Sequence, residues 1–244
     1  KTIFGRRGNE RILKDFLEAI LEIEIEKVTL DLSNELLPEN YEGKKSEVDV
    51  RARLKDGTEV NIEMQARKGG YDDKRCLSYW SKLYSKTIKK GEKYHKLRKT
   101  ICIWIIDDKI FEDFQDFQSD WKIMDLKYHI PNRFNDLEFH IIELPKFRKD
   151  VTIKSSNKEF WLWFIDHTNR EMVEMACFSN KEIREARKQL DKLRANRPLM
   201  DIIDAQERHE MDEKLIRDNA IKEATIKAKT EARAEGRAEG RAEG

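Results

Sequence analysis

Residues 47–65 read EVDVRARLKDGTEVNIEMQ. Apolar and polar residues alternate strictly on both sides of Lys55-Asp56-Gly57, so each arm has one apolar and one polar face. Residues directly opposite on a hairpin share a face. A two-residue Asp56-Gly57 loop would place Asp49 opposite Met64 and mix the faces. A three-residue loop pairs 54 with 58 and keeps them separate, with Gly57 in the left-handed conformation that such loops want at their last position. In that register Val48, Val50 and Ala52 face Met64, Ile62 and Val60. On the other face Glu47 opposes Gln65, Asp49 opposes Glu63, Arg51 opposes Asn61 and Arg53 opposes Glu59.

This hairpin sits in an alternating pattern of elements. Residues 9–20 carry Ile12, Leu13, Phe16, Leu17 and Ile20, the spacing of an amphipathic helix. An extended segment follows over 22–32, and 33–46, with Pro38, Asn40 and Gly43, reads as loop. Residues 72–90 are predicted helical, with Leu77, Trp80, Tyr84 and Ile88 as the apolar side. The run TICIWII at 100–106 suits a strand buried on both faces, as in a parallel sheet. LEFHIIEL at 137–144 is a further strand, ended by Pro145. From FWLWF at 160–164 the pattern turns helical, and from Lys181 it is rich in Lys, Arg and Glu, interrupted by Pro198. The last twelve residues repeat RAEG three times. Rows of like charge at i, i+4 and the recurring Gly make this a solvated, frayed helix.

The expected fold class is α/β, a mixed central sheet flanked by helices with a C-terminal helical extension. The expected divisions are 1–150, a helical extension over 151–197, and a charged tail over 198–244. Three cysteines at 76, 102 and 177, with no CxxC pair, argue against a disulfide framework or zinc ribbon. They fit a reducing, cytoplasmic setting, with Cys102 a core residue. No apolar run approaches the length of a membrane span. The five histidines lack metal-binding spacing, and there is no Gly-rich phosphate loop or nucleophile elbow.

Two carboxylates directly opposed on a sheet repel unless a cation or a proton lies between them. Asp49 and Glu63 have two readings. One is a solvated polar face. The other is a divalent metal site, since hard cations such as Mg²⁺ take carboxylate oxygens, backbone carbonyls and waters, and a metal there activates water and offsets charge on a phosphate.

Asp-(x13)-Glu-x-Gln on adjacent strands, followed by a helix and a buried strand, resembles the PD-(D/E)XK nuclease core. More closely, DVRARLKDGTEVNIEMQ, RCLSYWSKLYS, KGEKYHKL, ICIWIID and IIELPKF, in this order, resemble the recombination-promoting nuclease and transposase family of that superfamily. KTIFG at the start and the AEG-rich end are similar to it too. The resemblance covers about 150 residues and, more loosely, the tail. It implies a restriction-endonuclease-like core and a Mg²⁺-dependent endonuclease cleaving DNA, linked to recombination or transposition, other divalent cations being alternatives. It implies Asp49 and Glu63 as metal ligands, the Met64 carbonyl as a third, and Gln65 as the residue that orients the attacking water. The superfamily usually has Lys at the Gln65 position. Gln can hydrogen-bond a water but carries no charge. The alternative is a catalytically weak or inactive nuclease fold that binds DNA or assembles complexes.

Charged residues are 40% of the chain, well above the usual quarter, yet the net charge is only +1. The distribution is informative. Residues 66–100 hold twelve Lys or Arg against three acids, and residues 107–144 hold ten acids against four bases. On the predicted helix, Arg75, Lys82, Lys86 and Lys89 share a face. That face reads either as solvated or as a ridge contacting DNA phosphates. Tyr71 and Tyr79 read as core residues or as aromatic contacts near the site. The helical C-terminal region is an expected route to homo-oligomers.

Overall fold

A computed structural model describes residues 3–31, 50–65, 72–130, 133–148 and 156–196. Residues 1–189 form one compact unit. Residues 190–244 form a second, of which 190–196 are described, as the end of a helix. The expected boundary near 150 and the RAEG tail lie outside the described residues.

The first unit follows helix α1 (Glu10–Leu21) and strands β1 (Val28–Asp31), β2 (Val50–Leu54) and β3 (Glu59–Gln65) with helix α2 (Asp73–Lys86) and strand β4 (Thr100–Ile106). Strands β5 (Gln118–Lys122) and β6 (Leu137–Glu143) complete the sheet. Helices α3 (Leu144–Phe147), α4 (Asn157–Asp166), α5 (Arg170–Ser179) and α6 (Lys181–Ala195) follow. The sheet order is β1-β2-β3-β4-β6-β5. β1, β2 and β3 are antiparallel neighbours, β4 runs parallel to β3 and β6, and β5 adds antiparallel to β6. This mixed six-stranded sheet with flanking helices is the expected restriction-endonuclease-like α/β architecture.

The hairpin has the expected register. Val50 pairs with Ile62, Arg51 with Asn61, Ala52 with Val60 and Arg53 with Glu59. Leu54 donates its N–H to the Thr58 carbonyl at 2.9 Å, closing the three-residue loop, and Gly57 has a φ of 90°. Only a residue without a Cβ adopts that φ at no steric cost.

All seven residues of β4 are buried. Cys102, Trp104 and Ile106 join Cys76 of α2 and Phe139 and Ile141 of β6 in one cluster. Alternation turns Ile101, Ile103 and Ile105 to the other face, where they are buried too. Each buried Ile contributes about 1.5–3 kcal/mol, so β4 anchors the sheet. α1 buries the expected face, Ile12, Leu13, Phe16, Leu17 and Ile20, and packs against β1 and α4. Phe4, Phe16 and Trp161 form an aromatic cluster with ring centroids 4.7–5.7 Å apart.

Three expectations need correction. The extended segment over 22–32 is a strand only at Val28–Asp31. β5, sequence QSDWK, went unpredicted because it lies at the sheet edge with no apolar alternation. The helix expected over 72–90 ends at Lys86, and its buried seam is Cys76 and Leu83, with Tyr79 and Trp80 half-buried beside them. Leu77, placed on the apolar side, is 51% exposed. Cys76, Tyr79 and Leu83 carry the seam in place of Leu77 and Ile88, which rotates the helix about its axis.

Candidate active site

β3, α2 and β4 form a parallel crossover. α2 begins near the C-terminal ends of the two strands and runs back toward their starts. At its N-terminus the Arg75 side chain approaches Glu63. Further along, Trp80 Nε1 donates to the Thr100 carbonyl at 3.1 Å, and the Tyr84 hydroxyl donates to Asp136 at 2.8 Å. Burial first, then the Asp136 hydrogen bond, push the Tyr84 pKa up to about 12.

Asp72 caps α2, its side chain accepting from the Lys74 N–H at 2.8 Å and the Arg75 N–H at 3.4 Å. Such a cap is worth about 1 kcal/mol. It sets the first helical turn, and with it Arg75, beside the sheet.

Glu59, Asn61, Glu63 and Gln65 share one face of β3. Their partners across β4 are Thr100, Cys102, Trp104 and Ile106. This face is not solvated, as one reading of the hairpin had it. Glu59 and Asn61 are each 1% exposed and Glu63 4%. Buried carboxylates need cations, and here the cations are arginines. Arg51, itself buried, reaches Asp31 at 3.1 Å and Glu59 at 3.4 Å, and Arg53 reaches Glu59 at 2.5 Å. The Arg51–Glu59 contact is diagonal, across the direct pairs.

Glu63 meets Arg75 of α2, with Nη2 3.8 Å from Oε2. That separation exceeds a hydrogen bond. The guanidinium is positioned instead by Tyr79, whose hydroxyl accepts from Nε at 3.1 Å, and by the rings of Tyr79 and Trp104, 5.1 and 5.5 Å from its carbon. Burial works against the Arg75 charge, but Tyr79 and then Glu63 hold its pKa above the ordinary guanidinium value.

The backbone adds an oxygen. Asp107 N–H donates to the Gln65 carbonyl at 2.9 Å across the β3–β4 ladder. Carbonyls alternate in direction along a strand, so the Met64 carbonyl points toward β2, the side on which position 49 would continue the ladder. Asp49 itself lies outside the described residues, as does Tyr71. Met64 and Gln65 are half-buried.

These donors suit a hard dication. Glu63 is a desolvated carboxylate, Met64 offers a carbonyl and Gln65 an amide oxygen, and oxygen is the ligand Mg²⁺ prefers. Among the described residues no group of three or more His, Cys, Asp or Glu is placed to hold a metal; Asp49 would supply the second carboxylate. Cys102 is no nucleophile. Burial foremost, with Cys76 and Glu63 adding to it, pushes its thiol far up, so it stays protonated.

Of the residues expected to meet DNA, the structure brings Arg75 to Glu63. Lys82 is half-buried and Lys86 exposed on α2. At 1.5 Å per residue they lie about 10 and about 16 Å along the axis from Arg75. Lys89 falls past the C-cap, Thr87, and is not on the helix face, a correction that follows from the shorter helix. The contact of Arg75 with Glu63 was not read from the sequence. Its signal was present: Tyr79 is one turn further on, and Gln65 leaves the Glu-x-Gln motif without a cation.

Among the described residues, a cavity of about 650 Å³ is lined by Ile123, Met124, Leu126, Tyr128 and Phe134. It shares no residue with this site. No helix among the described residues is long and apolar enough to cross a membrane.

No curated protein and no solved structure matches the chain. A family model described as PD-(D/E)XK nuclease family transposase matches residues 1–220. Nucleases of this kind generally use divalent metals, usually Mg²⁺. A mixed sheet whose third strand carries Glu-x-Gln on a buried polar face, crossed by a helix that returns to a fully buried fourth strand, belongs with that match: the chain is a member of the PD-(D/E)XK nuclease family transposases.

Proposed function

We propose that this protein is a metal-dependent endonuclease that hydrolyses phosphodiester bonds in DNA, in the service of recombination or transposition. The observation that carries it is Glu63, a carboxylate 4% exposed on the polar face of β3. Asp49, Glu63 and the Met64 carbonyl would hold the cation, Mg²⁺ first and other divalent ions as alternatives. When bound, it supplies charge neutralisation and a water of lowered pKa. Gln65 accepts or donates a hydrogen bond to orient the attacking water. The water oxygen bonds to phosphorus as the bond to the leaving sugar oxygen breaks. The water gives up a proton to solvent, and the leaving oxygen takes one. Arg75, Lys82, Lys86 and Lys89 bind the DNA backbone. The cysteines suit the cytoplasm, and the C-terminal helical region suits self-association.

The test is nicking of supercoiled plasmid with Mg²⁺ and with EDTA, beside Asp49→Ala and Glu63→Gln. Mg²⁺-dependent nicking by the parent and background rates in both variants are expected. Either variant nicking at the parent rate removes the site assignment. One feature favours a second reading, a catalytically weak DNA-binding or assembly module: Gln65 has no charge. DNA binding without any Mg²⁺-dependent nicking would decide for it.

A further inference from the structure

The neutral Gln65 leaves one requirement of phosphoryl transfer unmet. Negative charge builds on the non-bridging oxygens in the transition state, and a fixed cation aimed at them is among the largest contributions to rate. Two cationic side chains of the hairpin, Arg51 and Arg53, are committed to Glu59, two rungs from Glu63. Arg75 is the cation at Glu63 itself. Its planar group donates from Nε to the Tyr79 hydroxyl at 3.1 Å and lies 5.1 and 5.5 Å from the centroids of the Tyr79 and Trp104 rings, with Glu63 a further contact at 3.8 Å. The chain thus orients a guanidinium at the site edge by contacts that add to the one with Glu63. Such pre-orientation lowers the entropy cost of each hydrogen bond that the guanidinium makes.

We propose that Arg75 is a catalytic residue whose guanidinium, presented from the first turn of α2, contacts the scissile phosphate and supplies the charge that Gln65 lacks. This rests on the nuclease reading above. Arg75 therefore differs from Lys82 and Lys86, which meet flanking phosphates. A ground-state contact alone would weaken binding; a transition-state contact lowers kcat as well.

The experiment compares the parent, Arg75→Gln and the double variant Gln65→Lys/Arg75→Gln. Single-turnover nicking in Mg²⁺ gives the rate, and DNA affinity against salt in EDTA gives a readout free of metal and turnover. Arg75→Gln is expected to lose about 100-fold or more in rate and to lower the salt slope by about 0.9. Gln65→Lys in that background restores at least part of the rate, because the charge returns on the neighbouring strand. Circular dichroism checks the fold, and Arg75→Met, which keeps the stem against the rings, takes the place of Arg75→Gln if that variant does not fold. Three results overturn the proposal: the parent rate in Arg75→Gln, a rate loss no greater than the affinity loss, or an unchanged salt slope. Absence of rescue by Gln65→Lys overturns the claim that Arg75 stands in for a charge at position 65. A parent that does not nick at all sinks the nuclease reading, and this proposal with it.

Discussion

Glu59 and Glu63 stand on one face of β3 with only Asn61 between them on that face, yet they meet different cations. Glu59 is held by two arginines of its own hairpin, a closed arrangement. Glu63 is met by an arginine from another element, at a longer distance. The first pattern suits structure, the second a site that changes partner when a metal arrives. Glu63→Gln, which keeps the side-chain volume, should therefore leave the protein folded while removing cleavage, as urea midpoints and nicking rates together would show. A second cluster works in the opposite sense. His140 of β6 places Nδ1 2.7 Å from Asp120 and Nε2 2.8 Å from Glu138, with Lys99 and Lys122 also on Glu138. Burial opposes charge on each group. The hydrogen bonds and ion pairs outweigh it, raising the His140 pKa and lowering Glu138 to about 2. A raised histidine stabilises below its unfolded pKa, and that contribution is lost as pH rises through the folded value. A lowered glutamate stabilises above its unfolded pKa, and that contribution is lost as pH falls toward about 2. The parent should thus lose stability more steeply than His140→Asn as pH rises above the ordinary histidine range. Equal slopes in urea titrations would mean that folding does not raise the His140 pKa.

At the scale of elements, α2 does most to assemble the site. Its N-cap and its seam act together: Asp72 fixes the first turn, and Cys76, Tyr79, Trp80 and Leu83 settle the rotation about the axis. Arg75 precedes the seam by one residue, so it borders the sheet instead of facing away from it. Asp72→Ala should cost about 1 kcal/mol in unfolding free energy and should lower the nicking rate further than that loss of stability explains, because the turn carrying Arg75 frays. An unchanged unfolding midpoint would show that the cap contributes nothing. The hairpin contributes in a different way. Its three-residue loop locks the register of β2 on β3, and a slip by one residue would turn Glu63 to the opposite face.

For the whole molecule, the crossover lets α2 extend from the site toward the start of β4, carrying Lys82 and Lys86 along one line from Arg75. Phosphate contacts of this kind add affinity without reading sequence. Replacing Lys82 and Lys86 by Gln should weaken binding to all duplexes about equally and lower the slope of log affinity against log salt by about 2. The measurement is binding titration across a salt series. An unchanged slope would make this face merely solvated and would put the DNA path elsewhere.

Strand pairing near the site was legible in the residues because a period of two and one glycine suffice: alternation separates the faces, and Gly57 selects the loop that keeps them separate. The buried β4 was legible for the same kind of reason, since an unbroken apolar run of strand length has no solvent face to offer. The rotation of α2 was not, because Cys76 and Tyr79 count as weakly apolar until a neighbour such as Trp104 makes them the buried ones. Edge strand β5 carried no alternation to read. The charges divided in the same way. Sequence spacing placed Arg53 against Glu59, a contact within one hairpin. Arg75 on Glu63, Arg51 on Asp31 and His140 on Asp120 join residues of different elements, and only the packing of helix on sheet and strand on strand brings those charges together.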